Sequence, residues 1–294
     1  MNIELLCDYA CVTGENPLWH PAEKCIYWND IPNGKVFKYD PTTGAHGVVY
    51  HGEVTGGFTF QADGGLLLFQ KSGAIRQLKD GVLTTLLDHI AGEEESRFND
   101  VMADPEGRVF CGTMPSPDPG GKTPGALYLL ETNGTLSKLF GDVTVSNGMG
   151  FTPDLTQFYH TDSLKRTIDR FDYDRASGNI SNRNPFVHSQ GEIGVPDGMT
   201  VDTDGCVWSA RWDGNCITRY SPAGKELMRI YLPVKKVSSA CFGGDDFGDL
   251  YLTTAGGHIK HTDGEHAGAL YRVNLRNYGI RGTAEYYSRV KVGE

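Results

Sequence analysis

No stretch of this chain is apolar for long enough to cross a bilayer as a helix, since no run approaches roughly 18 apolar residues. The N-terminus, Met1-Asn2-Ile3-Glu4-Leu5-Leu6, lacks the basic start and long apolar core of a secretory leader. Both absences make the cytoplasm the expected compartment, with no membrane contact. Positive charge is also scarce: 27 basic residues face 37 acidic ones, a formal net charge of −10. There is no basic stripe to neutralise phosphates, so nucleic acid is not an expected partner. Paired cysteines are missing too. The seven cysteines, at positions 7, 11, 25, 111, 206, 216 and 241, are odd in number, without a Cys-x-x-Cys pair or zinc-type spacing. They are expected to be free, mostly buried thiols, and none has a motif to lower its pKa for nucleophilic work. Finally, no amphipathic segment of roughly twelve residues or more stands out at helical period. Together with 38 glycines and frequent Tyr, Phe and Val, that points to many short strands joined by tight turns.

Against these absences stands a repeat. Turns anchored at Pro21, Ala62, Pro105, Pro153, Thr203 and Gly244 recur every 40 to 50 residues or so, roughly the period of a four-stranded propeller blade. Each is followed by two strand-like runs: 24–29 and 35–39, 65–70 and 74–78, 108–113 and 125–130, 156–161 and 167–172, 206–211 and 216–220, 249–254 and 269–273. Residues 2–12 read as a strand with no partner in its own unit, expected to complete the sixth blade and hide its edge. The expected fold is all-β, a six-bladed β-propeller of four-stranded antiparallel blades, with residues 1–294 forming a single domain. The Trp-Asp signature of the commonest propeller scaffold does not recur from unit to unit. In the third unit a long loop rich in Pro, Gly and Asp, 114–124, has the length of a functional loop rather than a connector.

Phase gives the functional hypothesis. Six residues before the successive anchors stand Glu15, Gly56, Asn99, Asn147, Asp197 and Ser238. In radially repeated blades, equivalent positions form a ring round one axis. Glu15, Asn99, Asn147 and Asp197 are therefore expected to converge at the top of the central channel, while Gly56 offers no ligand. Asp197 lies in Val195-Pro196-Asp197-Gly198, whose Pro, Asp and Gly are turn chemistry, so the stretch reads as a tight corner ahead of a strand. Two carboxylates and two amides are hard oxygen donors. They suit calcium, magnesium or manganese and, less specifically, iron(II) or zinc, and a divalent cation would relieve the repulsion between the acids. The structural alternative is that these residues only hydrogen-bond channel waters and cap strand ends.

The motifs Gly14-Glu15-Asn16-Pro17-Leu18-Trp19, Arg97-Phe98-Asn99-Asp100, Gly112-Thr113-Met114, Ser146-Asn147-Gly148, Pro196-Asp197-Gly198-Met199 and Cys241-Phe242-Gly243-Gly244 stand in this order, each at the start or middle of a unit. By them the whole chain resembles the regucalcin/gluconolactonase group of six-bladed propellers, also called senescence marker proteins. The resemblance implies that Glu15, Asn147 and Asp197 bind one divalent metal, that Arg97 and Asn99 hold the substrate's oxygens, and that the substrate is a sugar-acid lactone. Regucalcin-like members carry an acidic residue three positions after Gly-Thr-Met, contacting sugar hydroxyls. This chain has Pro117 there, with Asp118 as a possible substitute.

In the mechanism these residues imply, the metal polarises the lactone carbonyl while Asp197, both ligand and general base, deprotonates the attacking water. Arg97, two residues before a ring position, is aimed at the mouth. His160, in Tyr159-His160-Thr161-Asp162, is a second acid–base candidate or else a satisfied structural histidine. His258, His261 and His266 lack zinc-protease spacing and are expected to be exposed in a Gly-rich loop. Two other functions stay open: a phosphotriester hydrolase of the diisopropylfluorophosphatase type, or a calcium-binding regulator without a substrate. A monomer or weak homo-oligomer is expected.

Overall fold

In blades three and five an Asp-x-x-Gly turn fixes where the second strand begins. Asp104 Oδ1 accepts the backbone N–H groups of Glu106 and Arg108, both at 2.9 Å, and Gly107 supplies the positive φ of 90° that lets the chain reverse. Asp202 does the same for Asp204 and Cys206, at 3.0 and 2.9 Å. Its second oxygen accepts Trp208 Nε1 at 2.9 Å and Arg219 Nε at 2.7 Å. Each turn is thus fastened to the strands that follow it.

The computed structural model describes residues 1–117, 121–122 and 124–293. Six four-stranded antiparallel sheets, each built outward from the axis, are the blades of a propeller. The innermost strands are Gly14–His20, Thr55–Phe60, Ser96–Ala103, Ser146–Phe151, Val195–Val201 and Lys236–Gly243. In blades one to five the next three strands in sequence pair outward. In blade six the order is Lys236–Gly243, Asp249–Ala255, Ala269–Asn274, then Ile3–Asp8 from the other end of the chain. Ile3 lies opposite Val273 and Asp8 opposite Ala269, so the expected closure is present. The closing strand is shorter than residues 2–12. Asp8 Oδ1 accepts the Ala10 N–H at 3.0 Å, and Ala10 at φ 50° turns the chain away.

Two further differences concern local structure. Val195–Val201 is strand throughout, and what Pro196-Asp197-Gly198 produces is not a corner but a bulge, where the register against Val207–Trp212 jumps between Pro196 and Met199. The outermost strands, such as His46–His51, Val82–Leu87 and Ile180–His188, carried no sequence signal, because they are mostly exposed and show no alternation. Among the described residues the only α-helix is one turn, Lys260–Asp263, preceded by a 3₁₀ turn at Gly257–Ile259. His258 and His261 are exposed there, on helical turns rather than in an irregular loop. No helix among the described residues is long and apolar enough to cross a membrane. All seven cysteines are free and buried.

Blades are held to one another largely by aromatic contacts. Tyr27 meets Phe60 edge-on, Phe69 meets Phe98 edge-on, Phe110 stacks on Phe158 at 4.5 Å, Trp208 meets Phe242, and Trp19 stacks on Tyr251 at 5.6 Å. These pairs cross every blade boundary except four–five, where Tyr159, Met199 and Val207 cluster instead. Such pairs add about 0.5–1.5 kcal/mol each beyond their burial.

The end of each inner strand opposite the ring positions is crossed by the C-terminal segment. Arg281 O accepts from Thr203 N, Gly282 N donates to Phe247 O, Ser288 exchanges bonds with Phe60 and Ala62, Arg289 N donates to Gly107 O and Lys291 N to Thr132 O, all at 2.8–2.9 Å. This strap ties blades two, three, five and six together and closes the channel below. Glu285 and Tyr286 line the lower cavities together with residues of the inner strands, among them Asp100. Burial pushes the Glu285 carboxyl up to about 7, with the charge of Asp100 adding to the shift. The folded protein therefore holds a proton that the unfolded chain, with an ordinary Glu near 4.3, releases. Stability from this group is present below about pH 4 and is lost as pH rises through about 7. Glu285→Gln, which keeps the protonated shape, is expected to raise the melting temperature at pH 8 and leave it nearly unchanged at pH 4.5. Thermal melts at the two pH values check this, and an equal change at both would contradict it.

Candidate active site

Each inner strand breaks register with its neighbour at its ring position: between Glu15 and Leu18, Thr55 and Gly57, Phe98 and Val101, Asn147 and Met149, Pro196 and Met199, and Val237 and Ser239. A bulge bends the strand and re-aims the side chain it carries. Here four bulges deliver Glu15, Asn99, Asn147 and Asp197 to one cavity of about 310 Å³. The cavity also takes in Thr13, Arg97, Val145 and Val195, each two residues before a ring position, so a second layer stands one pleat above the first. Met114, Pro117, Ser163, Leu164 and Trp212 from the loops and strand ends form the mouth.

Two ring positions shape the site without entering it. A Cβ at Gly56 would collide with the carbonyl of Phe98, so glycine there lets blade two approach the strand that carries Arg97 and Asn99. Ser238 is consumed structurally: its Oγ donates to Gly14 O at 2.5 Å and pairs with the Thr253 hydroxyl at 3.0 Å, joining blade six to blade one beside Glu15.

The polar groups of the cavity are tied to one another. Arg97 NH1 donates to Asn99 Oδ1 at 2.7 Å and to Phe98 O at 2.9 Å. Asn99 Nδ2 in turn donates to Ser146 O at 2.8 Å, so the amide is fixed and its carbonyl oxygen is committed to the guanidinium. Asn147 Nδ2 donates to Asp197 Oδ1 and to Ser163 Oγ. Asn147 Oδ1, by contrast, is buried with no hydrogen-bond partner. Such an orphaned acceptor carries a desolvation penalty of about 1–3 kcal/mol and marks a place for a donor or cation.

Charge leads to the same place. Burial, with the charge of Asp100, pushes the Glu15 carboxyl up to about 8. Burial, and then the charges of Glu15 and Asp100, holds the Asp197 carboxyl well above the usual carboxylate range. Arg97 is drawn down by burial to about 10 and remains cationic at neutral pH, favoured by Glu15 and Asp197. Alone, the two carboxylates cannot both ionise comfortably, whereas a divalent cation would let them. The donor set fits a hard cation: two carboxylates and one free amide oxygen, with no grouping of three His, Cys, Asp or Glu among the described residues. Asn99, whose oxygen is occupied by Arg97, fits the substrate-binding role and not the ligand role.

His160 lies outside the cavity. It is fully buried, with Nε2 against Ser146 Oγ at 2.8 Å and its ring edge-on to Phe140. Burial pushes its pKa down to about 3, which favours the neutral ring, and with its place outside the cavity this fits the structural alternative considered above. Pro117 lies at the mouth, where the related pattern has an acid; Asp118 lies outside the described residues. The sequence reading missed Thr13, Val145 and Val195. The two-before-ring rule that found Arg97 would have found them too.

The family model for the SMP-30/gluconolactonase/LRE-like region matches residues 13–256. The chain is 43% identical to the pentonolactonase XacC of Haloferax volcanii over 300 residues, covering 100% of both proteins. It is 32% identical to human regucalcin over 297 residues, covering 97% of this chain and 98% of that protein. Among solved structures it superposes with TM-score 0.88 on a calcium-binding regucalcin from Agrobacterium tumefaciens, at 25% identity and covering 97% of each chain.

Proposed function

Because the chain belongs to the SMP-30/gluconolactonase/LRE-like family, we propose that it is a metal-dependent lactonase that hydrolyses sugar-acid lactones to the open hydroxy acids. The observation that carries this reading is the convergence in one cavity of two pKa-raised carboxylates, a partnerless buried amide oxygen and a buried guanidinium. The cavity, about 310 Å³, is at the small end of the roughly 300–1,000 Å³ typical of ligand sites, which favours a single small ring over an oligosaccharide. The pentonolactone named in the relative from Haloferax volcanii is such a ring.

Glu15, Asn147 and Asp197 would hold one divalent cation, calcium, manganese, magnesium, zinc or iron(II). When bound, the cation supplies Lewis-acid polarisation of the lactone carbonyl. The chain's own residues do the rest. Arg97, held by Asn99 and the Phe98 carbonyl, presents its remaining N–H groups to the lactone oxygens and fixes the ring against the floor. Asp197, steadied at Oδ1 by Asn147, takes a proton from the water that attacks the carbonyl carbon. As the bond from that carbon to the ring oxygen breaks, the same carboxyl can return the proton to the departing oxygen. The partner is thus a small-molecule lactone.

A substrate panel tests this. Metal-loaded protein is expected to turn over aldonolactones and to leave phosphotriesters untouched. Preference for a phosphotriester would replace the lactonase reading with that of a phosphotriesterase. Tight calcium binding with no turnover of any lactone, ester or phosphotriester would replace it with that of a regulator.

A further inference from the structure

The two halves of the cavity wall differ in chemistry. Above the floor, blades one and three contribute Thr13 and Arg97, while blades four and five contribute Val145 and Val195 at the equivalent positions. The rim continues the apolar half with Leu164 and Trp212 and, across the mouth, Met114 and Pro117. Leu164 is 64% exposed, the others are partly buried or exposed, and they form a patch rather than isolated residues. Ser163, the hydroxyl nearest to them in sequence, already accepts from Asn147 Nδ2 at 3.2 Å.

A lactone whose carbonyl meets the floor keeps the hydroxyl beside that carbonyl within reach of Arg97 and Asn99. The far edge of the ring, on the side of the cavity away from Thr13 and Arg97, then meets Val145 and Val195 of blades four and five. Hydroxyls pressed against Val145 and Val195 would meet hydrocarbon on that face and exchange water for no side-chain partner there, at a penalty of about 1–3 kcal/mol each. A methyl group or bare ring carbon would instead bury the apolar wall and its own surface together.

Taking the lactonase reading as given, we propose that this site reads hydroxyls only on the carbonyl side of the ring and accepts the far edge through apolar contact. Its substrate class then includes aldonolactones deoxygenated at the carbon farthest from the carbonyl. Val145, Leu164, Val195 and Trp212 are the specificity-determining residues.

Matched substrates test the division, because a site that hydrogen-bonds a hydroxyl rejects the analogue lacking it by up to about 10⁴-fold or more, whereas apolar contacts discriminate by only roughly 10–200-fold. The kcat/KM of metal-loaded protein would be measured on a pentono-1,4-lactone, its 5-deoxy analogue and its 2-deoxy analogue. The 5-deoxy compound is expected to match or exceed the parent, by up to about tenfold, and the 2-deoxy compound to fall by about a hundredfold or more. Leu164→Asn, at an exposed position where folding is not at risk, is expected to shift the ratio back toward the hydroxylated parent. A 5-deoxy analogue poorer by about a hundredfold, or a 2-deoxy analogue as good as the parent, would overturn the proposal while leaving the lactonase standing. No turnover of any of the three would overturn both.

Discussion

Asp197→Asn, saturated with divalent cation, is expected to lose between about a hundredfold and ten-thousandfold of lactone turnover, the usual worth of general-base assistance. The substitution separates two roles. An amide oxygen can still be offered to a cation, and it can still accept the bond that Asn147 Nδ2 now gives Asp197 Oδ1. What it cannot do is take a proton from water. In the metal-free site burial and the charges of Glu15 and Asp100 hold the Asp197 carboxyl above the usual carboxylate range, and a bound cation opposes that shift, so its strength as a base is read only in loaded protein. Saturation is therefore the deciding control, checked by metal analysis of the assayed sample. Glu15→Gln provides the comparison: it removes a charge at the same site, so its affinity should fall while its turnover at saturation largely returns. Near wild-type turnover of loaded Asp197→Asn across the pH range would reduce Asp197 to a ligand.

Stripping the protein with a chelator is expected to abolish hydrolysis and lower the melting temperature, and adding back a divalent cation should reverse both. Two carboxyls pushed up by burial, beside a single cationic Arg97, leave a site that binds protons when nothing stronger is present. A cation must displace those protons, so binding should release them into a weakly buffered solution. At a free concentration a hundred times Kd, binding stabilises the folded state by about 2.7 kcal/mol, which calorimetry would register as a shift of several degrees. Full activity in demonstrably metal-free protein would falsify the mechanism.

The floor of the site was legible because all six inner strands cross the blade with the same count between ring position and turn. In blades three and five Asp104 and Asp202 fasten that turn, and a side chain that folds its own turn leaves little freedom in where the strand ends. The same count could not distinguish Ser238, whose hydroxyl serves Gly14, from residues that face the cavity. Nor could it show that Asn99 spends its carbonyl oxygen on Arg97. Such choices depend on what stands opposite in another blade. Pro196-Asp197-Gly198 misled for a related reason: turn chemistry and bulge chemistry use the same residues, and only pairing with Val207–Trp212 tells them apart. The outer strands were illegible because little of their surface is buried on one side, so selection for alternation is weak there.

The closure of blade six also makes demands on the nascent chain. Ile3–Asp8 is translated first, but its partner Ala269–Asn274 emerges only after about 260 further residues, roughly 13 to 52 s later at ribosomal rates of 5–20 residues per second. Through that interval the segment is an unpaired strand waiting for its neighbour, free to add itself to another polypeptide's sheet. Its acidic residues, Glu4 and Asp8, stand where gatekeepers against such encounters are useful, and in the finished blade they pair with Arg272 and Lys260. The charges that guard the waiting strand thus become the ones that fasten it.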